Sequence, residues 1–175
     1  MNEIIKAMKE RRSIRKFLPD MPKKEDLEQI VEAGLWVANG RGTQATKIIV
    51  VTDKGLREKL RKANAGAAGF PDTSDPFYGA PVVMVVIAEK DRITNVCDGS
   101  LVIGNMMLAA HTLGLGSIWI HRAKEEVEQE FFQDLLRELG IEGEWIGVGN
   151  CAVGFIDGEA PQPAPRKEGR VFWIE

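Results

Sequence analysis

Cysteine, histidine and tyrosine are scarce in this chain of 175 residues, which holds two cysteines, two histidines and a single tyrosine. Cys97 and Cys151 have no C-x-x-C spacing, so neither a disulfide framework nor a paired redox thiol is expected, and the usage suits a reduced, cytoplasmic compartment. His111 and His121, without H-E-x-x-H or a cysteine cluster, leave no ligand set for zinc or iron, so no metal is expected. A formal net charge of -3 argues against general nucleic-acid binding. The first residues are neither an apolar nor an arginine-rich leader, so nothing here addresses the chain for export. P-loop and G-x-S-x-G motifs are missing too. The one approach to a dinucleotide fingerprint, Gly114-Leu115-Gly116, follows a helical stretch instead of a strand.

What is present is organised around D-G-S-L-V-I-G-N-M-M-L-A-A-H-T-L, residues 98–113. Asp98 is a good N-cap and Gly114 a good residue just past the end, and the Leu, Met and Ala between them favour a helix of about four turns. Leu101, Val102, Ile103, Met106, Met107, Leu108 and Leu113 point all round its axis, the pattern of a helix buried on every side. At about 24 Å it is too short for the roughly 30 Å of a bilayer core. One sheet covers one face. The other face is then a candidate subunit interface, and a homodimer is expected.

Around this stretch the patterning alternates. Helices are expected over residues 2–10, through Leu27, Ile30, Val31 and Leu35, and through Leu56, Leu60 and Ala63, and one further amphipathic helix over residues 125–139. Strands are expected at 48–52, 81–88, 117–121 and 145–155, with a last strand-like run at 171–174. Residues 64–80, with three glycines and two prolines, read as a mobile surface loop. The class is α/β or α+β, in one domain spanning residues 1–175.

No side chain announces itself as a nucleophile, and the chemistry points to an anion site. In an extended segment Arg11, Ser13 and Arg15 share a side, with Arg12 beside them, and guanidinium groups can grip a phosphate bidentately. The competing reading is a solvated basic surface. Arg166 and Lys167, beyond the prolines of the tail, could join the same site or keep an edge soluble. His121 and Arg122 stand at a strand end, where functional groups gather. His111 reads as a core histidine and Trp119 as a core residue that could stack on a flat ligand.

The segments R-R-S-I-R-K-F at 11–17, then L-x-x-I-V-E-A-G, then residues 98–120, D-G-S-L-V-I-G-N-M-M-L-A-A-H-T-L-G-L-G-S-I-W-I, resemble in type and order those of the FMN-dependent nitroreductase family, in compact form. The resemblance implies a central mixed sheet flanked by helices, with a long buried helix at a homodimer interface and FMN between subunits. It places phosphate and ribityl contacts on Arg11, Arg12, Ser13 and Arg15, with Arg166 and Lys167. It lays the partner's loop of Ala38, Asn39 and Gly40, with Gln44, beside the flavin, and sets His121 and Arg122 near flavin N5. The implied activity is ping-pong hydride transfer from NADH or NADPH through FMN to a nitroaromatic, quinone or similar small acceptor, with no catalytic side chain required. Where the family has N-x-Q-P-W, this chain has Gly42-Thr43-Gln44-Ala45-Thr46, and His121 and Arg122 replace small residues. Those changes motivate an alternative, a protein that stores or senses FMN without NAD(P)H turnover. A dimeric phosphate-ligand module lacking flavin is the third reading.

Overall fold

The computed structural model describes all 175 residues. Four strands, β1 (Thr46–Val51), β2 (Val82–Glu89), β3 (Gly116–Ile120) and β4 (Trp145–Gly154), pair antiparallel in the order β1-β2-β4-β3. Six helices flank them: α1 (Glu3–Glu10), α2 (Lys24–Leu35), α3 (Lys54–Ala67), α4 (Asn95–Thr112), α5 (Ala123–Val127) and α6 (Glu130–Glu138). The architecture is α+β. The mixed character expected of the sheet is confined to one parallel bridge, Ser13 to Ser117.

β2 explains the layering. Its side chains alternate between the two faces of the sheet, and both faces are apolar. Val83, Val85 and Ile87 enter a core shared with Leu60 of α3, Val127 of α5 and Phe132 of α6. Val82, Met84, Val86 and Ala88 enter a second core with Ile30 of α2 and Val102, Ile103 and Met106 of α4. The register skips at Val86/Ile87, whose partners are Gly149 and Gly147. Val148 is therefore the extra residue of a β-bulge, and its side chain packs against Gly99 of α4, where a Cβ would stand 2.6 Å from it.

Several expectations shift. The central helix starts at Asn95, so Asp98 lies within its first turn and is not its N-cap. Asp98 instead uses its carboxylate inside the fold, accepting from the Gly40 backbone N–H at 3.1 Å and from Thr94 Oγ1 at 2.9 Å. Gly114 does end the helix in left-handed backbone, φ 76°. In the single chain one face of α4 is buried and the other is bare, with Leu101 49% exposed. The helix expected over 125–139 is two, because Gln129 takes extended backbone (ψ 145°) that lets Phe132 reach the core while α5 stays seated on β4. The presumed surface loop at 64–80 is partly helical and well tied. Arg57 binds the Asp75 carboxylate and the Ala80 carbonyl, Arg61 binds the carbonyls of Asp72 and Ser74, and Phe77 is wholly buried. Residues 171–174 form no strand and pair with no other segment, and Phe172 and Trp173 lie in the open.

Gly147 is where α5 meets the sheet: a Cβ there would lie 2.0 Å from the Ala123 carbonyl oxygen and 2.7 Å from the Lys124 nitrogen. Both are backbone atoms that cannot turn aside. Gly147→Ala is expected to destabilise the fold by about 3 kcal/mol or more, read as a lowered midpoint in chemical denaturation.

Candidate functional site

The basic run is fixed by backbone bonds. α1 ends at Arg11, whose N–H donates to the Ala7 carbonyl, and the chain then extends across one end of the sheet. Ile14 N donates to the Ser117 carbonyl at 3.1 Å, and Phe17 bridges to Ile156. Ile14 and Phe17 are buried, so Ser13 and Arg15 fall on the side away from the Ile14 anchor. Together with Arg11 and Arg12 they form one wall of a cleft of about 1060 Å³. The other wall is the tail from Pro161 to Arg166, whose prolines hold it extended. Structure thus gathers Arg11, Arg12, Ser13, Arg15 and Arg166 around one space. Lys167 is exposed and outside that lining.

The cations are not equivalent. Arg12 Nη1 donates to the carbonyls of Lys9 and Arg11, both at 2.7 Å, and so closes the end of α1. Arg11 Nη1 is buried and has no partner. A buried charged donor left unpaired is costly, and an anionic acceptor entering the cleft would satisfy it. The guanidinium also bears on Cys151 in the core. Burial pushes that thiol up to about 12, and the Arg11 charge opposes the shift.

At the other end of β3, about 13 Å away by strand rise, lies the His121–Arg122 turn. Arg122 adopts left-handed backbone, φ 77°, and its guanidinium folds back onto Glu125 at 2.9 Å. That bond holds the Glu125 carboxyl below its usual range. His121 is exposed and Trp119 half-buried, its ring over Gly149, where a Cβ would lie 2.7 Å away. His111 is half-buried in the last turn of α4.

Ala38, Asn39, Gly40 and Gln44 are not in this cleft. The loop is closed on itself, Asn39 Oδ1 accepting from Gln44 N at 2.9 Å, and is pinned to Asp98 through Gly40. Gln44 pays for that closure with left-handed backbone, φ 50°. Asp98 marks the start of α4, whereas α1 and the basic run sit beside its end, so the two sets stand about 20 Å apart along the helix.

Three polar residues missed in the sequence lie beneath the His121–Arg122 turn. Glu126 is wholly buried, accepting on Oε1 from the side-chain amides of Asn64 and Asn150, and Asn64 Nδ2 also donates to the His121 carbonyl at 2.7 Å. Asn150, a lone amide inside the apolar strand G-V-G-N-C-A-V-G, was the available signal. No cluster of three His, Cys, Asp or Glu side chains is placed to hold a metal, and no helix is long and apolar enough to cross a membrane.

The sequence signature of the nitroreductase family matches residues 8–155, and so takes in the basic run, the central helix and all four strands. The chain belongs to the nitroreductase family. Its fold matches a nitroreductase with bound FMN from Bacteroides fragilis at a TM-score of 0.88, with 26% identity and both chains fully covered. An FMN-bound nitroreductase from Desulfitobacterium hafniense gives 0.87 and 25%, again with full coverage. Among curated relatives, the FMN reductase [NAD(P)H] of Bacillus subtilis is 30% identical over 134 residues, 67% of this chain and 53% of the relative. The oxygen-insensitive NADPH nitroreductase of Salmonella typhimurium is 28% identical over 138 residues, 73% and 57% of the two. The chain thus spans little more than half the length of these two relatives.

The inertness of Cys151 follows from its burial. In a Cys97→Ser variant, the native protein at pH 8 should take up no thiol reagent, and the guanidinium-unfolded protein one equivalent.

Proposed function

We propose that the chain binds FMN in the basic cleft and acts as an NAD(P)H-dependent oxidoreductase that reduces small acceptors such as nitroaromatics or quinones, in a homodimer. The observation that carries this is Arg11 Nη1, a buried cationic donor without an acceptor, in a cleft walled by Arg15, Ser13 and Arg166. That donor set fits a phosphate monoester. The FMN-bound relatives share the whole fold at 25–26% identity.

When bound, FMN supplies the hydride chemistry, taking reducing equivalents from NADH or NADPH and yielding them in a separate half-reaction to the acceptor. The chain's own part is position and electrostatics. Arg11, Arg15, Ser13 and Arg166 would hold the phosphate, with Arg12 fixing the end of α1 and Lys167 adding charge at the rim. The backbone of the His121–Arg122 turn would lie beside the reacting ring edge, where an N–H donor favours developing negative charge. The Arg122 guanidinium is drawn back to Glu125, which keeps that turn open and favours turnover over storage.

The dimer completes the site. Ala38, Asn39, Gly40 and Gln44 lie too far along α4 to reach a ligand held by Arg11 of the same chain. A second copy packed on the bare face of α4 would bring its own loop across. Ile4 and Met8 of α1, Trp36 after α2, and Leu101 of α4 leave that side apolar and uncovered.

The deciding experiment is the visible spectrum of FMN-loaded protein without oxygen. Bleaching by NADPH or NADH is expected; a yellow protein that resists both is a storage protein, and failure to take up FMN removes the cofactor altogether. Arg11→Ala should weaken FMN by about 1.5–3 kcal/mol for the lost charge-assisted bonds, roughly 10- to 100-fold in Kd, measured by flavin fluorescence. Leu101→Asp should turn a two-chain mass in light scattering into a one-chain mass and lower flavin affinity with it.

A further inference from the structure

We infer that Glu126 is held as a neutral carboxylic acid whose proton is shared with the Asn150 side-chain carbonyl, and that the Asn64–Glu126–Asn150 cluster is the positioning device for the His121–Arg122 turn. Three buried side-chain polar atoms in the protein lack a partner: Arg11 Nη1, Glu126 Oε2 and Asn150 Oδ1. The last two belong to side chains already joined by the 2.9 Å bond from Asn150 Nδ2 to Glu126 Oε1. Both orphans are acceptors if the carboxyl is ionised. One proton on Oε2, donated to Asn150 Oδ1, satisfies both and closes an acid–amide pair with two parallel hydrogen bonds.

The surroundings offer an anion nothing. From α3 the group is faced by Asn64, while Arg61 of the same helix is turned to Glu58 and to the carbonyls of Asp72 and Ser74. From its own helix comes Glu125, a carboxylate engaged with Arg122. β4 contributes Asn150, and the β2 and α6 side chains of this core, such as Val85, Ile87 and Phe132, are apolar. No Lys, Arg or His pairs with Glu126, and burial pushes its carboxyl up to about 8 from an ordinary 4.5.

The cluster holds the turn through Asn64, whose one amide nitrogen serves both Glu126 Oε1 and the His121 carbonyl. His121 immediately precedes Arg122, whose left-handed backbone is strained for a residue with a side chain. Ionisation would set a carboxylate oxygen against Asn150 Oδ1 and loosen the anchor. The linkage has a definite sign. The folded-state value lies above the unfolded one, so the contribution to stability is full below pH 4.5, declines as pH rises toward 8, and is gone above it.

The relevance to a flavin rests on the function proposed above, but the cluster can be tested without one. Glu126→Gln supplies the same acceptor and donor without titrating. Difference infrared spectra of wild type against this variant at pH 6 should show a protonated-carboxyl C=O band that disappears above pH 8. The unfolding midpoint of wild type should fall between pH 5 and 8 relative to that of the variant, which has no such titration. Amide exchange at residues 121–123, corrected for intrinsic rates, should speed up by about tenfold in wild type between pH 6 and 9 and stay constant in the variant. Absence of the infrared band, or an unchanged difference in midpoint across that range, overturns the neutral acid. A band with pH-independent exchange at the turn overturns the positioning role. Failure of the protein to load FMN would count against the proposed function and leave these readouts standing.

Discussion

The structure depends on a strand that is covered on both sides. From Val82 to Ala88 every side chain of β2 is withdrawn from water, and this requires apolar layers on opposite faces of one sheet. A single layer of helices would leave half of that strand exposed, at a cost of order 1.5–3 kcal/mol for each large side chain. Helices α2 and α4 supply one layer and α3, α5 and α6 the other. With both faces of the sheet used, the free ends of the strands and the bare side of α4 are the surfaces left for binding.

The candidate site follows from that geometry. The basic run is anchored across one end of β3 by Ile14 and Phe17, and the His121–Arg122 turn emerges from the other, so a five-residue strand sets the spacing between the basic cleft and a backbone turn. Neither end is held by apolar packing alone. Arg11 carries a buried donor with no acceptor, and the turn is anchored to an amide–carboxyl cluster inside a core that is otherwise apolar. Proteins keep polar groups in such places at a cost in stability, and under the proposed function the return is preorganisation of a surface that contributes backbone and charge to the chemistry of a bound cofactor.

Much of this was legible in the linear pattern because it is local. The run P-V-V-M-V-V-I-A reads as a doubly covered strand and the uncharged stretch from Gly99 to Leu113 as a helix ended by Gly114, each from local periodicity. The misreadings share a cause. Asp98 resembles an N-cap by its position before an apolar run, yet a partner 58 residues away in sequence recruits its carboxylate and the helix starts earlier. The amphipathic stripe over 125–139 continues through the break at Gln129, where α5 stays seated on β4 and α6 turns to bury Phe132. The loop at 64–80 carries glycines and prolines enough to look mobile, and two arginines from α3 tie it down.

The sequence by itself determined the family, the secondary elements of the core and the charge of the basic run, because each is written in residues a few positions apart and in side-chain types that suit one environment. Only the tertiary structure decided which of those residues meet. It joined Arg166 to Arg11 across most of the chain, separated Asn39 and Gln44 from both by the length of α4, and assembled Asn64, Glu126 and Asn150 from three different elements into one cluster. Burial and hydrogen bonding between distant segments are properties of packing, and no local pattern encodes where a buried carboxyl will find its partner.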